Sequence, residues 1–255
     1  MNNTVLIYLF CFLSFILKTN LGIAQTDKLA LNSYQKAENQ LQKTIDKHGG
    51  QAKLNAPICF KLEGSLYFFG HYDVPEKTIP APDTDKIAFF PDLGISYLYS
   101  AINYYGERSK IIMNHQDSTY HIGYFDRAFS KGKLQERNQL YLSYPTQILA
   151  LANKNKQSLS FIGEDKLQTI IGFNDDLGNH YNLCMDKKTN RLQKVTQLTY
   201  SNIYGDGFDE FIYDYPDGLT TQPSKYTRRE HGLLESTFVY KDFTTEPKID
   251  TGFVK

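Results

Sequence analysis

The 255 residues contain no tryptophan and only three cysteines and three methionines, and no charge of either sign is in excess: 28 Lys plus Arg meet 28 Asp plus Glu. That balance removes any global electrostatic reason to expect nucleic acid or an anionic membrane as a partner. Signatures of chemistry are missing as well. No Gly-x-Ser-x-Gly elbow occurs, Cys59 and Cys184 lie in no local nucleophile pattern, and no Walker-type or dinucleotide-type glycine loop is present. The histidines, six in all, include no His-x-His pair and no helical His-Glu-x-x-His, the spacings that put two imidazoles on one metal. Covalent catalysis and a standard zinc centre are left without support, and neither a catalytic residue nor a cofactor is assigned.

Long apolar runs are scarce too. Val5 to Leu17 is almost unbroken but too short to span a bilayer comfortably, and Gly22-Ile23-Ala24 follows with small residues where signal peptidase inspects. Residues 1–24 therefore read as a cleaved secretory signal, with Gln25 as the mature N-terminus. The segment "MNNT" departs from the usual pattern in having no Lys or Arg, and an uncleaved anchor is the alternative. Lipidation at Cys11 is disfavoured, because the bulky Phe10 precedes it and the apolar run continues beyond it. The expected location is exported, periplasmic or extracellular, with no integral membrane segment after cleavage. In that setting Cys59 and Cys184 can form a disulfide, yet free buried cysteine is equally ordinary, and both alternatives stay open.

What the chain does have is 19 Tyr and 17 Phe, a bias toward strands, where a flat ring packs well on a pleated surface. One helix comes first. From Asp27 to His48, the residues Leu31, Tyr34, Ala37, Leu41 and Ile45 recur at steps of three and four, and Gly49-Gly50 supplies a left-handed stop. "CFKLEGSLYFF" then alternates as a strand, with Phe60, Leu62, Leu66 and Phe68 on one face and Gly64 among them. "YDVPEKTIPAPDTDK" reads as a loop on its prolines. Strand patterns resume at "KIAFF", "ISYLYSAINYYG" and "KIIMNHQDSTYHIGYF", the last a hairpin around Gln116-Asp117-Ser118. Between Arg127 and Lys156 the alternation fades, and Pro145 opens a helix carrying Ile148, Leu149, Leu151 and Ala152. From Leu159 onward "NDDLGN", "DKKTNR", "YGDG" and "YPDG" punctuate an antiparallel meander. The fold class expected is mainly β (α+β): a curved antiparallel sheet or incomplete barrel whose inner face is covered by an N-terminal and a middle helix. One domain spans 25–245, with a C-terminal tail over 246–255.

Two groups of residues are candidates for a site. Phe68, Tyr97, Tyr99 and Tyr104 can line an aromatic groove for a lipophilic ligand, against the simpler reading that they build the core beneath the helices. His115, Asp117 and His121 flank the hairpin turn and are the weak metal candidates, since turns carry His and Asp routinely. His71-Tyr72-Asp73 reads as a solvated turn. The acidic series Asp206, Asp209, Glu210, Asp214 and Asp217 lacks the spacing of a calcium loop and reads better as strand positions facing Lys225, Arg228 and Arg229.

Taken together, "IDKHGG", "FKLEGSLYFFGHYDVPEK", "NLCMDKKTNRLQKV" and "FIYDYPDGLTTQPSKYTRREHGLLESTFVYKDF" resemble the secreted N-terminal domain that precedes a metallo-β-lactamase-fold hydrolase domain in some bacterial proteins. That domain is similar to the periplasmic lipoprotein carriers and outer-membrane lipoprotein-sorting proteins. The resemblance implies an incomplete antiparallel barrel closed by helices. It carries over no catalytic residue, because the His-x-His-x-Asp-His zinc segment belongs to the second domain and nothing here matches it. Three readings follow: a non-catalytic exported domain binding a lipophilic small molecule or a protein partner; an orphaned or truncated accessory domain of a zinc hydrolase, since "TTEPKIDTGFVK" falls where that hydrolase would begin; and an enzyme using His115, Asp117 and His121. They are ranked in that order.

Overall fold

The structure is a computed structural model and describes residues 29–68, 77–80, 85–90, 95–100, 110–115, 118–122, 127–131, 141–201, 205–216 and 222–246. Helix α1 occupies 29–47. Its stripe buries Ala37, Leu41 and Ile45 and continues one step further, through Thr44 and His48. Leu31, expected on that stripe, is 55% exposed, because the first turn of α1 extends past the surface it packs on. Gly49 and Gly50 have φ of 101° and 76°, the left-handed stop expected from their pairing. The chain then restarts as a short helix, α2 (Gly50–Asn55), instead of entering the sheet directly.

One antiparallel sheet of fourteen strands takes up most of the rest. Its N-terminal half comprises β1 (Ile58–Phe68), β2 (Lys77–Pro80), β3 (Asp85–Phe90), β4 (Ile95–Ser100), β5 (Lys110–His115), β6 (Ser118–Ile122) and β7 (Arg127–Lys131). After helix α3 (Pro145–Lys154) come β8 (Ser160–Glu164), β9 (Gln168–Asn174), β10 (His180–Asp186), β11 (Leu192–Ser201), β12 (Gly205–Asp214), β13 (Lys225–Glu230) and β14 (Leu233–Thr244). Two elements differ from the sequence reading. Lys77–Pro80, read as loop, is a strand that pairs with β1 alone, where a proline at the last position removes no interior ladder bond. Arg127–Lys131, read as the start of a helical stretch, is a strand that pairs with β6 along its whole length.

The two halves are meanders running outward from a shared seam. Strand order is β7-β6-β5-β4-β3-β1-β14-β13-β12-β11-β10-β9-β8, with β1 and β14 joined at the centre and β7 and β8 left as edges, so the curled sheet stays open. The chain leaving β7 must therefore reach the opposite edge to start β8. Its described part crosses the inner face: Leu142 through Leu149 are all buried, and Pro145 sits at the first turn of α3, as expected. Tight turns hold the C-terminal meander. Asp175 accepts from the Leu177 and Asn179 amides, each at 2.9 Å, and Asp186 from the Thr189 amide at 2.6 Å.

The core lies between this inner face and the helices. Phe60, Leu62, Ile87 and Phe89 from β1 and β3 join Ile171, Phe173, Tyr181 and Leu183 from β9 and β10, beneath Leu41, Ile45, Ile148 and Leu149 of the helices. Helix α1 is tied to the sheet by polar contacts as well. The Phe161 amide donates to Ser33 Oγ at 2.9 Å and the Leu192 amide to His48 Nε2 at 3.2 Å. Cys59 and Cys184 are buried and neither is in a disulfide; β14, β13, β12 and β11 lie between their strands. Among the described residues no helix is long and apolar enough to cross a membrane.

Candidate functional site: the aromatic inner face and its rim cavity

Alternation along each strand sends one aromatic after another to the inner face. Phe211 and Tyr213 of β12 lie beside Tyr226 of β13 at 6.1 and 6.4 Å between ring centroids, and Tyr226 beside Phe238 of β14 at 6.1 Å. Phe60 of β1 carries the series on, 5.2 Å from Tyr240 and 6.0 Å from Phe89 of β3. The rings thus run without interruption across five strands. Two of the phenols are held by the segment entering α3: Tyr213 donates to the Leu142 carbonyl at 2.6 Å, and Tyr240 to that of Ser143. Burial pushes the Tyr213, Tyr226 and Tyr240 phenols up, so these groups are neutral donors and supply no base near neutral pH.

At one end of the aromatic series the face opens into a cavity of about 300 Å³. Its apolar wall is Pro57 and Ile58 at the start of β1 and Phe243 near the end of β14; Tyr144, immediately before α3, stands 5.1 Å from Phe60 and 5.9 Å from Phe243. The polar wall includes His48, Lys53, Thr146, Gln222 and Glu246. His48 is fixed by its acceptor bond from the Leu192 amide, which leaves the proton of the neutral ring on Nδ1. Tyr215 backs it at 5.9 Å, under the Arg191 guanidinium at 5.0 Å. Burial raises the Tyr144 phenol, against a smaller opposing effect of its hydrogen bond with Gln222.

The other end of the inner face is charged. Arg228, on the same side of β13 as Tyr226, donates to Asp209 at 3.1 Å and to Glu235 at 2.9 Å and stacks 5.7 Å from the Phe211 ring. Glu230 lies 3.9 Å from the same guanidinium. Asp209, Glu230 and His231 offer ligand atoms within 4.8 Å of one another, and it is Arg228 that meets the two carboxylates there. Of the other acidic residues, Asp214 pairs with Lys225 at 3.3 Å as the sequence suggested, whereas Glu210 pairs at 2.7 Å with Lys194 of the preceding strand, a partner not expected, and Asp217 lies outside the described residues.

Of the residues singled out from sequence, Tyr97 and Tyr99 lie in β4, where their backbones pair with Ala88 and Lys86 of β3. Phe68 is the last residue of β1, paired with Lys77. His115 pairs with Ser118 and His121 with Ile112 in the β5–β6 hairpin. Tyr104, Asp117 and the His71-Tyr72-Asp73 triplet lie outside the described residues. The cavity residues His48, Lys53, Tyr144 and Phe243 were not singled out. A signal existed for His48, which falls three residues after Ile45 on the stripe of α1, and for Tyr144, which immediately precedes the helix-opening proline.

Solved structures place this architecture. A LolA superfamily protein from Nitrosomonas europaea matches with a TM-score of 0.57 at 13% identity, over 86% of this chain and 97% of that one. An uncharacterized conserved protein from Thermus thermophilus matches with a TM-score of 0.38 at 8% identity, over 86% and 93% of the two chains. The Mycobacterium tuberculosis lipoprotein LppX matches with a TM-score of 0.35 at 8% identity, over 83% and 97%. The first likeness shows the fold, the open curled sheet of the lipoprotein-carrier type. No family model matches the chain, and no curated protein does. Nothing in these comparisons associates it with a metallo-β-lactamase-fold hydrolase.

Proposed function

We propose that the protein is a non-catalytic exported carrier or receptor that holds a lipophilic ligand in the cavity at the rim of its open sheet. The observation that carries this reading is the cavity at the rim of a sheet that does not close, walled by Pro57, Ile58, Tyr144 and Phe243 where the aromatic core reaches the surface. Apolar surface of this kind rewards an acyl chain by the area it removes from water, about 25 cal/mol per Å². The leader-like residues 1–24 support export. The lipoprotein-carrier fold supports the ligand class, and a protein segment is the competing occupant of the same cavity.

Native mass spectrometry of protein purified without detergent, followed by denaturing extraction, tests the proposal. A stoichiometric lipid-like mass that leaves on denaturation is the expected result. A protein that is empty as isolated and takes up no fluorescent fatty acid would overturn it.

A further inference from the structure

We infer that the rim cavity is a docking site for the chain's own residues 247–255, which follow β14 and compete there with any ligand. The docking stands on the cavity and the path of the chain; its effect on ligand uptake rests on the carrier reading.

β14 does not leave the sheet straight. Asp242 has φ of 52°, and the register of β1 against β14 shifts between Cys59 and Lys61, a bulge that turns the end of the strand. The Glu246 amide then donates to Thr244 Oγ at 3.2 Å, a second bend. Phe243, Thr244, Thr245 and Glu246 consequently all line the cavity, where a straight strand would present only alternate residues. The chain is thus already curled around the opening when it reaches Pro247. Residues 247–255 lie outside the described residues and contribute here through their sequence, "PKIDTGFVK". Ile249 stands three residues beyond Glu246, about 10 Å of extended chain, and Phe253 seven, about 24 Å, so both can reach the apolar wall of Pro57, Ile58 and Phe243. An apolar cavity of about 150 Å³ accepts one benzene ring. The cavity of about 300 Å³ therefore has room for roughly two side chains of that size. Charge matches as well: Lys248 and Asp250 flank Ile249, and the wall carries one charge of each sign, Lys53 and Glu246. A segment tethered at the wall is present at about 1 mM, so an affinity of about 0.1 mM for the free peptide already keeps the cavity roughly nine-tenths filled.

The test uses the whole chain and its double variant Ile249→Asp/Phe253→Asp, both changes falling beyond the last described residue, Glu246. A fluorescently labelled peptide of residues 247–255 is titrated into each protein and read by anisotropy, and a fluorescent fatty acid is titrated into each separately. The peptide is expected to bind the variant with a Kd on the order of 0.1 mM and the unaltered chain about tenfold more weakly, because there the cavity is already filled. A peptide carrying the same two Asp changes is expected not to bind. Failure of the peptide to bind the variant, or equal binding to the two proteins, overturns the docking. The fatty acid is expected to bind the variant about tenfold more tightly than the unaltered chain. If the peptide discriminates while the fatty acid binds both proteins equally or neither, the docking stands, and the competition and the carrier reading of this cavity are overturned.

Discussion

Arg228 shows how a residue can be placed correctly by sequence and still be misread. Its strand position opposite acidic residues was legible, and cross-strand charge pairs are ordinarily solvated. Yet it shares the parity of Tyr226, which belongs to the core, so alternation sends it inward, where it is 7% exposed. The consequence falls on Glu235, which meets it from β14. Burial outweighs the pull of Arg228, the Glu230 and Asp209 carboxylates add to the rise, and the Glu235 carboxyl is pushed from 4.5 up to about 7. A raised folded-state value means the folded protein binds this proton more tightly than the unfolded chain does. The stabilisation is therefore complete below 4.5 and is lost as pH rises through 7. With a quarter of the side chain in solvent, the loss amounts to about 2 kcal/mol. Urea unfolding of wild type and Glu235→Gln across that window should show the variant gaining about 2 kcal/mol relative to wild type. Parallel pH curves would show that the carboxylate is not held in this way. Gly64 was legible in a similar half-way fashion. Alternation put it on the apolar side of β1, but only the pairing with Phe238 explains it, since a Cβ there would run into the Thr237 carbonyl.

Elements were most legible where the pattern was long. The α1 stripe, the alternation of β1 and the turn residues of the C-terminal meander each announced their structure, because burial on one face imposes a period. Short strands carry little periodicity. β2 has four residues and β7 five, and β2 also ends in a proline that argues against a strand until its edge position is known. Helix ends escape for another reason: the period says which side faces inward, but not where the surface beneath it stops. Leu31 and Leu41 sit on one predicted stripe, and the sheet reaches only the second. Leu41→Ala should accordingly cost about 2–4 kcal/mol, a buried side chain replaced by a cavity, while Leu31→Ser should change stability by less than about 0.5 kcal/mol. Thermal or urea midpoints of the two variants measure the contrast, and equal losses would mean that the first turn of α1 is packed after all.

At the scale of the molecule, the antiparallel class and the two covering helices could be read from pattern, but the seam could not. β1 and β14 meet across most of the chain, as the Lys241–Glu63 ion pair, 178 residues apart, illustrates, and no local pattern specifies a pairing at that distance. The rim cavity was illegible for the same reason, since it is assembled from α1, α2, the entry to α3 and the end of β14. The seam also decides the open question of the cysteines. It puts Cys59 and Cys184 in opposite halves with four strands between them, so these two form no disulfide across the seam. Burial raises the Cys184 thiol, more than offsetting the nearby Lys194, and a protonated buried thiol is a poor nucleophile. A chain beginning at Gln25 should therefore react negligibly with a thiol reagent while folded and expose two thiols in denaturant. Its melting temperature should be the same with and without reductant. Fewer than two titratable thiols, or a melting point lowered by reductant, would mean that the halves are stapled and that the strand order across the seam differs from the one described.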